Sequence, residues 1–111
     1  MDTNRNADVQ NKVELQKGVY RQLLAYTENY TLTKMWGCKG TISKTHEHPH
    51  EQVIYILSGK GNFQNGDELI PVNPGDTVMI ASNVPHAFAE ILEDLIWLEY
   101  FTPERKDITG S

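Results

Sequence analysis

The chain predicts an all-β sandwich or barrel, and three observations carry that reading. Apolar runs of strand length recur at close spacing along the 111 residues, about eight or nine of them. Clusters of Gly, Pro, Asn and Asp punctuate these runs, as tight turns between antiparallel strands require. No stretch sustains the 3.6-residue apolar period of an amphipathic helix, so packed sheets are left to bury the apolar faces.

Taken in order, residues 1–17 are polar, with Val9, Val13 and Leu15 spaced too sparsely for a firm pattern. They form a leader with a short strand near Lys12–Leu15. Gly18–Tyr26 reads as a strand and Thr27-Glu28-Asn29 as its turn. Tyr30–Cys38, rich in Thr and carrying Met35 and Trp36, is the next strand. Thr41–His48 leads into a histidine cluster, where Pro49 bends or interrupts the strand. Val53–Leu57 is short and apolar throughout, the pattern of a strand buried on both faces. Asn65-Gly66 marks a two-residue hairpin, with Glu68–Val72 returning from it. Asn73-Pro74-Gly75-Asp76 puts Pro and Gly at the two central positions of a type II turn. Thr77–Ile80 is a strand and Ala81–Pro85 a loop that delivers His86. Ala87–Leu92 and Leu95–Phe101 are the last strands, joined at Glu93-Asp94, and Thr102-Pro103 stops the sheet. The expected organisation is a leader at 1–17, a β-domain at 18–103 and a polar tail at 104–111.

Composition narrows the function. A hydrophobic fraction of 39% excludes both a membrane-embedded and a disordered chain. The net charge of -5 and pI near 5.2 argue against nucleic acid or an anionic membrane as partner, since both reward basic patches. Cys38 is the single cysteine, so no internal disulfide forms and a reducing compartment is expected. With no apolar segment at the start, the protein is expected in the cytoplasm.

The chemistry concentrates between Gly40 and Gly59. His46, His48 and His50 stand two residues apart, and Gln52 follows at the same spacing. Side chains two apart in extended chain share a face, so His46 and His48 aim two imidazoles at one point. A transition metal takes three or four ligands, and neutral imidazole is its commonest protein donor. His86 is the only histidine outside the cluster, and the Gln52 amide oxygen has the right parity to join. His50 follows Pro49 and reads as a rim residue. Glu47 and Glu51 have the opposite parity and read as solvated, and Cys38 reads as packed near a strand end.

These residues resemble a known family. Gly40-(x)5-His46-x-His48-(x)3-Gln52-(x)6-Gly59 is similar to the first cupin motif, with Gln where an acidic ligand usually stands. Gly75-(x)5-Ala81-x-Asn83-(x)2-His86-(x)3-Glu90 is similar in spacing to the second. It departs from that motif at Ala81, Asn83 and Glu90, and Asn83 tolerates the left-handed backbone of the glycine it replaces. The resemblance spans roughly residues 35 to 103 and implies a single-domain jelly-roll β-barrel, a double-stranded β-helix. It implies one divalent transition metal ion (Ni, Zn, Mn or Fe) held by His46, His48, Gln52 and His86. Three imidazoles and an amide leave the ion's charge uncompensated, which favours an anionic substrate and Lewis-acid chemistry.

The end of the chain adds substrate chemistry. Leu95, Trp97, Glu99 and Phe101 share one face of the last strand. If that face lines the barrel, Glu99 is a general acid/base whose pKa burial would raise; if Ile96, Leu98 and Tyr100 face inward, it merely meets water. Glu99-Tyr100-Phe101-Thr102-Pro103-Glu104-Arg105 resembles the Asp-x-Phe-Thr-Pro-x-Arg ending of pectin-degradation cupins, which convert 4,5-unsaturated uronates to open-chain keto acids. That resemblance casts Glu99 as the acidic group, Phe101 as the aromatic one and Arg105 as a carboxylate clamp, with His50 at the rim also touching substrate. Glu for Asp lengthens the reach by one methylene. A metal-dependent enzyme acting on a small sugar acid is therefore expected. An iron-dependent cupin dioxygenase and a non-catalytic sugar- or metal-binding cupin are the alternatives. The edge strands of a small jelly roll need cover, so a homodimer is expected, with the leader pairing across it.

Overall fold

The computed structural model describes residues 12–111, so the first eleven residues of the expected leader lie outside the described residues. Seven strands follow in order: β1 (Lys12–Gln16), β2 (Val19–Thr27), β3 (Tyr30–Gly37), β4 (Glu51–Asn65), β5 (Glu68–Val72), β6 (Thr77–Ile80) and β7 (His86–Thr102). One turn of helix, α1 (Lys106–Thr109), ends the chain. The strands form one unclosed antiparallel sheet in the order β1-β2-β3-β7-β4-β5, with β6 on β4. The strand foreseen near Lys12–Leu15 is β1, and it pairs with β2 of its own chain.

The count of seven departs from the expected eight or nine because two expected pairs of strands are each continuous. The runs on either side of Gly59 form the single strand β4, and those flanking Glu93-Asp94 form β7. These two pair antiparallel from Glu51↔Thr102 to Asn65↔His86, with repeated register shifts between Ile56 and Gly61. Gly59 sits in that bulge at φ +91°, where a Cβ would lie 2.1 Å from the Asp94 carbonyl oxygen. Glu93-Asp94 is thus the partner of a bulge and not a turn. The bend lets the Gln52–Tyr55 half of β4 carry β6 while its Gly61–Asn65 half carries β5.

Register explains the interior. Residues paired across neighbouring strands share a face, so the ladders define inward layers. Thr31, Phe101, Gln52 and Ile80 form one; Leu23, Thr33, Glu99, Ile54 and Val78 form the next; Arg21, Met35, Trp97 and Ile56 follow; Val19, Gly37 and Leu95 close the stack. Phe63, Phe88 and Trp97 pack as an aromatic chain beneath, with centroids 4.9 and 4.5 Å apart. Each such side chain taken fully out of water contributes about 1.5–3 kcal/mol.

Val53–Leu57 is not buried on both faces. Ile54 and Ile56 are buried, while Val53, Tyr55 and Leu57 are more than a third exposed. The apolar run has two faces because β4 lies in a sheet covered on one side only. Thr41–His48 forms no strand of its own but is tied to β7, the Ser43 amide donating to the Phe88 carbonyl at 3.2 Å and His46 and His86 exchanging backbone hydrogen bonds of 3.1 and 2.9 Å. Cys38 is exposed, contrary to expectation, because it lies just past the end of β3. The hairpin loop is Gly66-Asp67, one residue beyond the expected pair, because Asn65 still pairs with Glu68. The Asn73–Asp76 turn forms as expected, with Gly75 at φ +91° and the Asp76 amide donating to the Asn73 carbonyl.

The polar tail is folded onto the barrel. The Arg105 amide donates to Thr31 Oγ1 at 2.8 Å, and Ile108 reaches the interior cavity. Glu104 is buried, its carboxylate accepting from the Thr109 and Ser111 hydroxyls, which hold its pKa below the usual range.

Candidate metal and substrate site

His46, His48 and His86 converge although they come from two distant parts of the chain. Their ring nitrogens lie within 4.8 Å of one another, the one grouping of this kind among the described residues. The His46↔His86 bridge sets the spacing between the two chain segments. Asn83, at φ 61°, donates its amide to the His48 carbonyl at 2.8 Å and ties the loop before His86 to the cluster. The expectation that Asn83 takes the left-handed conformation is met.

Each ring is oriented by the backbone carbonyl of a residue two positions away. His46 Nδ1 lies 3.0 Å from the Lys44 oxygen, His48 Nδ1 3.0 Å from the His50 oxygen, and His86 Nδ1 2.9 Å from the Val84 oxygen. A carbonyl only accepts, so every Nδ1 carries its proton and every Nε2 presents a lone pair. His86 Nε2 is buried without a hydrogen-bond partner. His48 Nε2 faces Gln52 Oε1 at 2.9 Å, and in this tautomer both are acceptors. Two acceptors turned on each other, beside a third buried lone pair, fit a shared cation. Backbone-fixed imidazoles of this kind are how proteins orient metal ligands.

Burial keeps the His48 and His86 rings neutral. It lowers the His86 pKa from its usual value to about 4, and lowers that of His48, with Gln52 opposing. Both therefore keep a free lone pair below the pH at which an ordinary histidine charges. Phe101 packs edge-on to His48, with centroids 5.6 Å apart.

A cavity of ≈ 250 Å³ opens beside the histidines. That is slightly below the roughly 300–1,000 Å³ of drug-sized ligand pockets, which suits a small molecule. Glu99, Phe101 and Arg105 all line it. Glu99 therefore faces the interior, which resolves the even choice of face that the alternation left open. Part of its surface meets the cavity while protein surrounds the rest, and burial pushes its pKa up. Trp97 Nε1 donates to its carboxylate at 2.9 Å, and charge on His46 would oppose the rise. The Arg105 guanidinium lies 4.9 Å from the Phe101 ring centre and is gripped by Asp107 at 2.9 and 2.6 Å. His50 turns away from the triad, with Nε2 3.0 Å from the Glu104 carbonyl, so it braces the tail. Glu47 and Glu51 are exposed, as their parity predicts.

The sequence reading passed over Arg21, which also lines this cavity. The signal was available: Val19, Arg21 and Leu23 share the parity that carries Val19 into the core.

Comparison with known proteins agrees with this architecture. The "Pectin degradation protein KdgF" of Dickeya dadantii (strain 3937) is 25% identical over 95 residues, spanning 85% of this chain and 86% of that protein. The solved structure of KdgF from Halomonas sp. superposes with a TM-score of 0.89 at 20% identity, covering 97% of this chain and 98% of that one. An RmlC-like cupin from Shewanella frigidimarina superposes equally well, with a TM-score of 0.89 at 23% identity and 97% and 96% coverage. Residues 39–100 match the cupin domain family. With more than half its length inside that match and a jelly-roll fold to go with it, the chain belongs to the cupin family.

Proposed function

We propose that this cupin is a metal-dependent enzyme that opens and tautomerises a small unsaturated sugar acid, of the 4,5-unsaturated uronate class. The observation that carries the proposal is that His46 and His86 of the histidine triad line one small cavity together with Glu99 and Arg105. The likeness to a pectin degradation protein supports the substrate class.

In this reading His46, His48, His86 and Gln52 hold one divalent transition ion, Ni, Zn, Mn or Fe. The ion, when bound, supplies Lewis-acid stabilisation of negative charge on substrate oxygens. All four donors are neutral, so the charge of the ion is undiminished and an anionic substrate is favoured. Arg105, braced by Asp107 and the Phe101 face, pairs with a substrate carboxylate through its remaining N–H groups. Glu99 takes the proton of the anomeric hydroxyl. As that oxygen forms its carbonyl, the bond from C1 to the ring oxygen breaks and its electrons stay on the ring oxygen as an enolate. Glu99 then returns the proton to C4, and the enolate becomes a ketone. No atom is gained or lost, and the carboxyl ends as it began. A carboxyl with a raised pKa suits both halves of that cycle.

The protein is proposed to act in the cytoplasm and as a homodimer. Among the described residues, no helix is long and apolar enough to cross a membrane. Val53, Tyr55, Met79 and Tyr100 form an exposed apolar strip on the outer face of β4, β6 and β7, which supports a second copy as partner. A monomeric mass by light scattering would refute the dimer.

Metal analysis of the purified protein, followed by loss of the unsaturated-uronate absorbance on addition of enzyme, tests the activity. Turnover independent of oxygen is expected. Tightly bound iron with oxygen uptake would favour a dioxygenase instead, and a protein without metal or metal rescue would favour a binding module.

A further inference from the structure

We infer that Arg21 is the specificity-determining contact of this cavity, sharing the substrate carboxylate with Arg105, which lines the same cavity. The inference rests on the cavity being the substrate site, as proposed above.

Its position follows from the ladders. Arg21 pairs with Met35, Met35 with Trp97, and Trp97 with Ile56, and these three partners are buried side chains of the inner face. An arginine at the end of such a row has to point inward too, and it lines the cavity one layer away from Glu99. Burial lowers its pKa below the ordinary value, yet a guanidinium remains charged throughout the physiological range.

A partly buried cation is costly unless something pairs with it. Among the described residues Arg21 makes no ion pair and no side-chain hydrogen bond. Arg105 differs, because Asp107 already occupies two of its donors, Nε and one terminal nitrogen. Lys44 also lines the cavity but is exposed, where water screens its charge. Arg21 is thus an inward cation whose fork of donors is free, and a planar carboxylate is the group that fork fits bidentately. Glu99 lies near enough for the two charges to feel each other but forms no ion pair with Arg21, so its carboxyl stays available for proton transfer.

The test separates this role from the enzyme reading. Calorimetric titration of the metal-loaded protein with D-galacturonate and with its methyl ester measures binding without turnover. Wild type is expected to prefer the acid. Arg21→Met should lose about 10- to 100-fold in affinity for the acid and little for the ester, with metal content unchanged. Arg21→Lys keeps the charge but not the fork and should fall between. Should Arg21→Met fail to fold, Arg21→Lys decides, since undiminished preference for the acid in that variant overturns the role. Full preference retained in Arg21→Met overturns it likewise while leaving the proposed function standing. A wild type that binds neither ligand overturns both.

Discussion

The two walls of the cavity are built by different means. The histidine wall is local: His46, His48 and Gln52 fall within seven residues of chain, and each imidazole is oriented by a carbonyl two residues from it. The other wall is assembled from afar. Arg21 comes from β2, Glu99 from β7 and Arg105 from the tail, each set by strand register or by the fold-back of the last residues. A donor group positioned by its own neighbours can be recognised from spacing. One positioned by pairing across three strands cannot, until the register is known.

The sharpest break in this comparison is His86→Ala. His86 alone of the triad lies outside the local cluster, and its Nε2 is the buried lone pair with no partner. Its backbone bonds to His46 use main-chain atoms, so the bridge survives the substitution. Metal affinity should fall by more than the roughly 10–100-fold that outer partners of a ligand cost, and turnover with it. Equal metal content in wild type and variant would show that the triad holds no ion.

Glu99→Gln attacks the other wall. Turnover should fall by about 10²- to 10⁴-fold, the range of a lost general acid/base, while metal content stays intact. Glu99→Asp shortens the reach by one methylene and matches the residue that the pectin-degradation motif carries there. It should retain far more activity than the amide. Full activity in Glu99→Gln would remove the residue from the chemistry.

Asp107→Asn gives a smaller effect on the same wall. The pair it forms with Arg105 is mostly exposed on the aspartate side, so it is worth about a kilocalorie per mole or less. A several-fold rise in KM with kcat unchanged is expected, because the guanidinium stays stacked on Phe101 but is less well aimed. A fall in kcat alone would place Arg105 in the reacting step.

These walls also show how much was legible beforehand. The all-β class and the turn at Asn73–Asp76 were plain from punctuation and alternation, whereas the left-handed Asn83 was legible only through the cupin-motif glycine whose place it takes. The histidine spacing announced His46 and His48 because a two-residue period survives in any extended segment, paired or not, while His86 joined them as the one histidine outside the cluster and through the second cupin motif. The continuity of β4 and β7 was hidden, since Gly59 and Glu93-Asp94 look like turns. Only the close approach of Gly59 to the Asp94 carbonyl makes them a bulge. Arg21 was hidden by its type, because arginine in a strand is ordinarily a solvent-facing residue. The fold of the tail over the cavity had no signal in its polar composition, as it rests on hydrogen bonds such as that from the Arg105 amide to Thr31.

The finest prediction asks whether the walls face each other. Burial raises the Glu99 pKa, so the folded state holds that proton more tightly than the unfolded chain does. Below the ordinary glutamate value of 4.5 both states are protonated and Glu99 leaves stability unchanged. As pH rises above it, the unfolded chain releases the proton first, and the folded state is destabilised until its own carboxyl ionises. In chelator-treated protein, wild type should therefore melt a few degrees below Glu99→Gln at neutral pH, and the two should converge toward pH 4. Parallel melting curves across that range would contradict the buried carboxyl. Loading with a divalent ion should narrow the gap, because a cation near the carboxylate favours its charged form. The coupling of Glu99 to His46 across the cavity makes that narrowing the expected outcome. A gap indifferent to metal would mean that the ion and the carboxylate do not share a field, and with it the joint action of the two walls would fall.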